Sequence, residues 1–119
     1  MVLRLQQNFW RRSWNKELGG NMRKREMSYE DYGITNDEVD YILKFCRNAN
    51  EEEKEFIKIA LSKLNPYISP FIFRSLVEKE SYEDIDKENY LWISKGDFYA
   101  ERRYGVHCIK DWMMLHRRW

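Results

Sequence analysis

The chain is short of the residues that punctuate and crosslink a fold. Its 119 residues include five glycines, two prolines, two cysteines and two histidines. So few turn formers exclude an all-β architecture built on many tight hairpins. Cys46 and Cys108 are too few for the disulfide framework of a small secreted domain. Each sits among apolar residues at helical spacing and reads as a small, reduced, buried hydrophobe of a cytoplasmic protein; a single bridge between them is the other reading. His107 and His116 are off register for one helical face, and no Cys/His spacing fits a zinc site. A glycine-rich phosphate loop, a Ser-His-acid set and a convergent carboxylate pair are all missing, so neither an enzyme nor a cofactor is expected. No apolar run approaches the length of a membrane span, and none has the form of a signal-peptide core.

What the chain does have is apolar mass and charge. Hydrophobic residues make up 43% and aromatics 16%, enough for the core of one small domain. The formal net charge of +1 hides a pattern. Residues 1–25 carry seven Lys or Arg against one acid; residues 26–89 carry eight against sixteen; residues 90–119 carry six against three. A basic C-terminal segment on an acidic body suits contact with phosphates through one face, although a small local excess of this kind is also ordinary.

Helix signals then follow one another. Thr35 with Glu38 forms a capping box, and Val39, Ile42, Leu43 and Cys46 repeat at the spacing of one buried helical face. Asn50 is the next N-cap, with Glu51, Glu52 and Glu53 in the first turn where the helix dipole favours them. Consecutive residues there diverge, so the three carboxylates are not a metal site. Phe56, Ile57, Ala60, Leu61 and Leu64 supply the core stripe, and Asn65-Pro66 ends the helix. Ser69-Pro70 has the form of an N-cap followed by proline at N1, opening a third helix with Ile72, Phe73, Leu76 and Val77 inward. Ahead of all this, Tyr29, Tyr32 and Ile34 pack a charged lead-in onto the domain, with Gly33 at a turn. Arg23-Lys24-Arg25 is either a solvated start or an arm that reaches a phosphate backbone.

Two more caps stand in the last third. Ser81, three residues before Asp84, opens a short helix; Asn89-Tyr90-Leu91-Trp92-Ile93 is too apolar for a solvated loop and reads as a packed turn. Ser94 caps a long final helix from about Lys95. Short capped helix, turn, capped helix with early basic residues is the layout of a helix-turn-helix. The expected fold is all-α, a bundle of about five helices across residues 22–119, ending in that unit at 81–117. Gly105 inside the last helix implies a kink or close packing. Trp112, Met114, Leu115 and Trp119 exceed what one face buries; they cover the monomer core or form a homodimer contact.

The stretch carrying Ser81, Glu83, Asp84 and Ile85, then Ile93-Ser94, Phe98-Tyr99 and Arg102-Arg103, resembles the helix-turn-helix of region 4 of bacterial sigma factors and of small phage regulators built on it. MRKR from Met22, DYGIT from Asp31 and ISKGDFYAERR from Ile93 are similar to a group of small proteins from phage-like regions of Gram-positive genomes. The resemblance implies a DNA-binding transcriptional regulator of phage type. Ser94, Lys95, Tyr99, Arg102 and Arg103 are the candidate DNA contacts: Arg102 or Arg103 would read guanine, and Ser94 would meet a phosphate at the helix start. Asp97, Glu101 and the acidic body favour a rival, a helical interaction module without DNA contact whose partner is RNA polymerase or another host protein.

Residues 1–21 stand apart. They have the pattern of a basic amphipathic helix with Leu3, Phe9, Trp10, Trp14 and Leu18 on one side. Leu18-Gly19-Gly20-Asn21-Met22 is also what a purine-rich ribosome-binding site encodes when read in frame, so translation is expected to begin at Met22.

Overall fold

The computed structural model describes residues 23–119, and the expectations for residues 1–21 lie outside that range. Five helices follow one another: α1 Asn36–Arg47, α2 Glu51–Ala60, α3 Ser69–Val77, α4 Tyr82–Asn89 and α5 Lys95–Leu115. Short 3-10 turns at Lys24–Glu26 and Glu30–Tyr32 precede them, and a third, Leu61–Lys63, continues α2. Among the described residues there are no strands. The chain is an all-α bundle, as its helical periodicity requires.

The caps form where the side chains allow them. Thr35 accepts from the Glu38 N–H at 3.2 Å while Glu38 returns to the Thr35 N–H at 2.9 Å. Asn50 and Glu53 make the same reciprocal pair. Ser81 accepts from Asp84 N and Ser94 from Asp97 N, so four of the five helices start on a side-chain cap. Helix α3 departs from expectation. It begins at Ser69 itself, with Ile68 in the cap position and Pro70 in the first turn. The Ser69 hydroxyl donates back to the Leu61 carbonyl at 3.1 Å, closing off the end of α2 instead of capping α3. That carbonyl also accepts from the Leu64 N–H at 3.0 Å, so the Ser69 hydroxyl is its second donor.

The core runs through Ile42, Ile57, Leu61, Ile72, Leu76, Ile85, Phe98, Val106, Ile109 and Met113, all essentially solvent-free. Helix α5 is its spine and touches α1, α2 and α3. It continues unbroken through Gly105, which is buried. A Cβ there would lie 3.0 Å from Leu61 Cδ2 and 3.2 Å from Ile72 Cγ2. The glycine therefore serves close packing. Cys46 and Cys108 are free and buried, and burial pushes their thiols up to about 12 and about 11.

Gly105→Ala sets a helix-propensity gain of about 1 kcal/mol against overpacking of about 1–3 kcal/mol in a full core. The neighbours are themselves fully buried and cannot step aside, so the variant is expected to be less stable, with a lower urea midpoint and an unchanged helical circular-dichroism signal.

Candidate nucleic-acid interface

Five residues, Tyr90 to Ser94, join α4 to α5. The turn has no glycine, yet it makes the left-handed step that helix ends need: Tyr90 sits at φ 53°. Asp86 compensates by accepting from the Leu91 N–H at 2.8 Å. Leu91 plugs the core, while Tyr82 Oη donates to the Ile93 carbonyl at 2.7 Å. The Trp92 N–H donates to Tyr67 Oη, and the two rings lie 6.0 Å apart. Tyr90 and Trp92 themselves are 78% and 82% exposed.

The five candidate contacts separate into two sets. Ser94 and Lys95 are exposed at the start of α5, Ser94 as the cap and Lys95 paired with Glu83 at 2.6 Å. That pair holds the Lys95 pKa up and the Glu83 pKa down. The other three are half-buried and already engaged. Tyr99 Oη accepts from the Tyr82 N–H at 3.2 Å. Arg102 Nε donates to Ser75 Oγ at 3.0 Å, and Ser75 is a buried residue of α3. Arg103 Nε donates to the Met27 carbonyl at 2.9 Å. Spacing aligns 95, 99 and 102 along one side of a helix, but α3 and α4 occupy the later part of that side. Among the described residues no carboxylate pairs with Arg102 or Arg103.

Sequence reasoning left Arg23, Lys24 and Arg25 out of the site, whereas the structure lays them along it. The segment 23–34 runs beside α5 in the same direction. Arg25 pairs with Asp97 at 3.5 Å, and Lys24 with Glu101 at 3.2 Å while sitting 4.5 Å over the Tyr104 ring. Further along, Tyr32 stacks on His107 at 4.9 Å, and Lys110 Nζ donates to the Gly33 carbonyl at 3.3 Å. The matching signal was present in the sequence: two acids, Asp97 and Glu101, four apart on a helix and facing a run of three cations.

At the far end of α5, Trp112 packs against Phe56 and His116, and Trp119 meets Tyr41 edge-on at 5.3 Å. Trp112 covers the monomer core, while Trp119, Met114 and Leu115 remain exposed. No group of three or more His, Cys, Asp or Glu among the described residues is placed to hold a metal ion. No helix among them is long and apolar enough to cross a membrane.

No family model, curated protein or solved structure matches the chain.

His107 supplies a pH test of the arm's anchor. Burial holds its pKa below the ordinary 6.5; Lys63 and Lys110 act the same way, and Asp111, 3.3 Å from Nε2, partly opposes them. Nδ1 is buried without a hydrogen bond among the described residues. A depressed histidine pKa means the fold favours the neutral ring. That stability is present above the unfolded-state value and is lost as pH falls from there through the folded-state value. The urea midpoint should fall between about pH 7.5 and 5.5, and His107→Phe should flatten the fall by keeping a stacked ring without the charge.

Proposed function

We propose that the chain is a phage-type transcriptional regulator that binds double-stranded DNA through α4, the turn and the start of α5. The observation that carries this reading is the exposed, Ser94-capped start of α5 with Lys95 beside it, flanked by Arg23, Lys24 and Arg25 on one side. Backbone N–H groups at a long helix's start and a cluster of cations on the adjoining segment both favour phosphate oxygens. Arg102 and Arg103 enter as second contributors, each held through Nε and neither paired with a carboxylate among the described residues. The resemblance to sigma region 4 supports the same reading, as does the helix-turn-helix order of the elements. The protein would act in the cytoplasm, as a homodimer through the exposed Met114 and Leu115 at the end of α5.

A second reading is favoured by one feature. Tyr67, Tyr90 and Trp92 form an exposed aromatic group at the turn, and large exposed aromatics mark protein-binding surfaces. On this view the unit docks on RNA polymerase or another host protein without touching DNA.

Binding of the full chain to a random-sequence duplex at low and moderate salt separates the two. The DNA reading expects affinity that falls steeply with salt. Lys95→Ala should weaken binding across all sequences and reduce the salt slope by about one. Arg102→Ala with Arg103→Ala should abolish binding, with melting followed in parallel because both side chains also hold the fold together. No binding of the wild-type chain at low salt would remove the DNA reading and leave the interaction module.

A further inference from the structure

The front of α5 poses an electrostatic problem that the rest of the chain solves. Its first turns carry Lys95 and Asp97 at the surface and Glu101 half-buried, while Arg102 and Arg103 are half-buried and held through Nε by other elements. Left alone, Glu83, Asp97 and Glu101 cancel Lys95, Arg102 and Arg103, so this front offers a polyanion no net positive charge. Carboxylates set against phosphates repel them, and the repulsion opposes both encounter and binding.

The cations that answer those acids come from a different part of the chain. Lys24 Nζ lies 3.2 and 3.3 Å from the two carboxylate oxygens of Glu101. Arg25 Nη1 lies 3.5 Å from Asp97. The Arg25 guanidinium also rests directly on the helix backbone at Gly96: a Cβ there would come within 2.6 Å of Nη2 and 2.8 Å of Cζ. Arg23, Lys24, Arg25 and Asp97 together rim a concavity of about 350 Å³ at the start of the helix. The 3-10 turn that carries these cations buries no residue of its own. Apolar packing therefore does not explain its position. Charge pairing, the Lys24 ammonium over the Tyr104 ring and the space at Gly96 do, with the chain anchored downstream by Tyr29, Tyr32 and Ile34 on the core and by the Arg103 bond to Met27.

We propose that Lys24 and Arg25 are counter-charges built into the DNA-facing surface: docked on α5, they neutralise Glu101 and Asp97 so that a phosphate backbone meets a positive surface. Arg23, paired among the described residues with its neighbour Glu26 at 3.6 Å, adds charge at the rim. This inference rests on the DNA reading given above. It separates Lys24 and Arg25 from ordinary phosphate contacts, because their effect passes through two named acids.

The test is a charge-compensation cycle on the full chain, read by fluorescence anisotropy with a random-sequence duplex at low salt. The proteins are wild type, Lys24→Ala with Arg25→Ala, Asp97→Asn with Glu101→Gln, and all four changes together. Removing the two cations should weaken binding about tenfold or more, because two carboxylates then face the phosphates unopposed. Neutralising the two acids in that background should restore affinity to within about threefold of wild type. Two results overturn the proposal. In one, the cation-less protein binds as tightly as wild type or tighter, which would make the segment a bystander or a cover. In the other, the fourfold variant binds as weakly as the cation-less one, which would make Lys24 and Arg25 plain phosphate contacts. Gly96→Ala gives an independent check: it displaces Arg25 at a site where alanine suits the helix, so binding should weaken with melting unchanged or raised, and undiminished binding counts against the proposal. Failure of the wild-type chain to bind the duplex is a different result, since it removes the DNA reading and this inference with it.

Discussion

The close approach of α5 to Leu61 and Ile72 across Gly105 sets where everything else can sit. A helix that comes so near α3 and the end of α2 must bury the whole stripe from Phe98 through Ile109 to Met113, and it does. It then has few sides left. Tyr99 and Arg102 turn toward α4 and α3, where the Tyr82 N–H and the Ser75 hydroxyl engage them. Asp97, Glu101, Tyr104 and His107 turn toward the segment 23–34, which packs along them. What remains open is the start of the helix, around Ser94 and Lys95. The candidate interface is small because the same helix is the spine of the core.

Local chemistry was readable in the sequence, and long-range chemistry was not. The two reciprocal capping boxes and the serine caps at Ser81 and Ser94 depend on residues three apart, so the chain spells them out. The core stripes follow from three- and four-residue spacing for the same reason. Ser69 lies inside its helix instead of ahead of it, and its hydroxyl reaches eight residues back to the Leu61 carbonyl, which also accepts from the Leu64 N–H. A side-chain cap and a hydroxyl-to-carbonyl bond are each worth about 1 kcal/mol, so residue spacing alone does not decide between them. Gly105 was legible as a special position but not as to which kind; the choice between a kink and close packing lies in Leu61 and Ile72, more than thirty residues away.

The candidate site shows the same division more sharply. Ser94 and Lys95 are where their spacing places them, because a cap and the residue after it are local facts. Arg102 and Arg103 sit early on a helix with basic residues in its first turns, which is all that spacing can say. Their commitments are to Ser75 and Met27, residues in other elements. Lys24 and Arg25 went the other way. They read as either a solvated start or an arm reaching a phosphate backbone, and they meet Glu101 and Asp97 across more than seventy residues of chain. Exposed ion pairs of this kind add about 0–1 kcal/mol to stability, so their value to the molecule has to be sought in the surface they create.

That surface bears on how the two functional readings relate. Trp92 precedes Lys95 by three residues, so the aromatic group at the turn and the cationic start of α5 are within about 10 Å along the chain. A protein partner seated on Trp92 and Tyr90 would crowd the ground that a duplex seated on Lys95 requires. The turn also ties the two together: Asp86 accepts from the Leu91 N–H and Tyr82 donates to the Ile93 carbonyl, so the backbone between the aromatic group and the Ser94 cap is held on both sides of Trp92. If both surfaces are used, occupation of one disfavours the other, and the difference in affinity between free and partner-bound forms measures that coupling. A regulator built this way would exchange DNA for a protein partner without changing its fold.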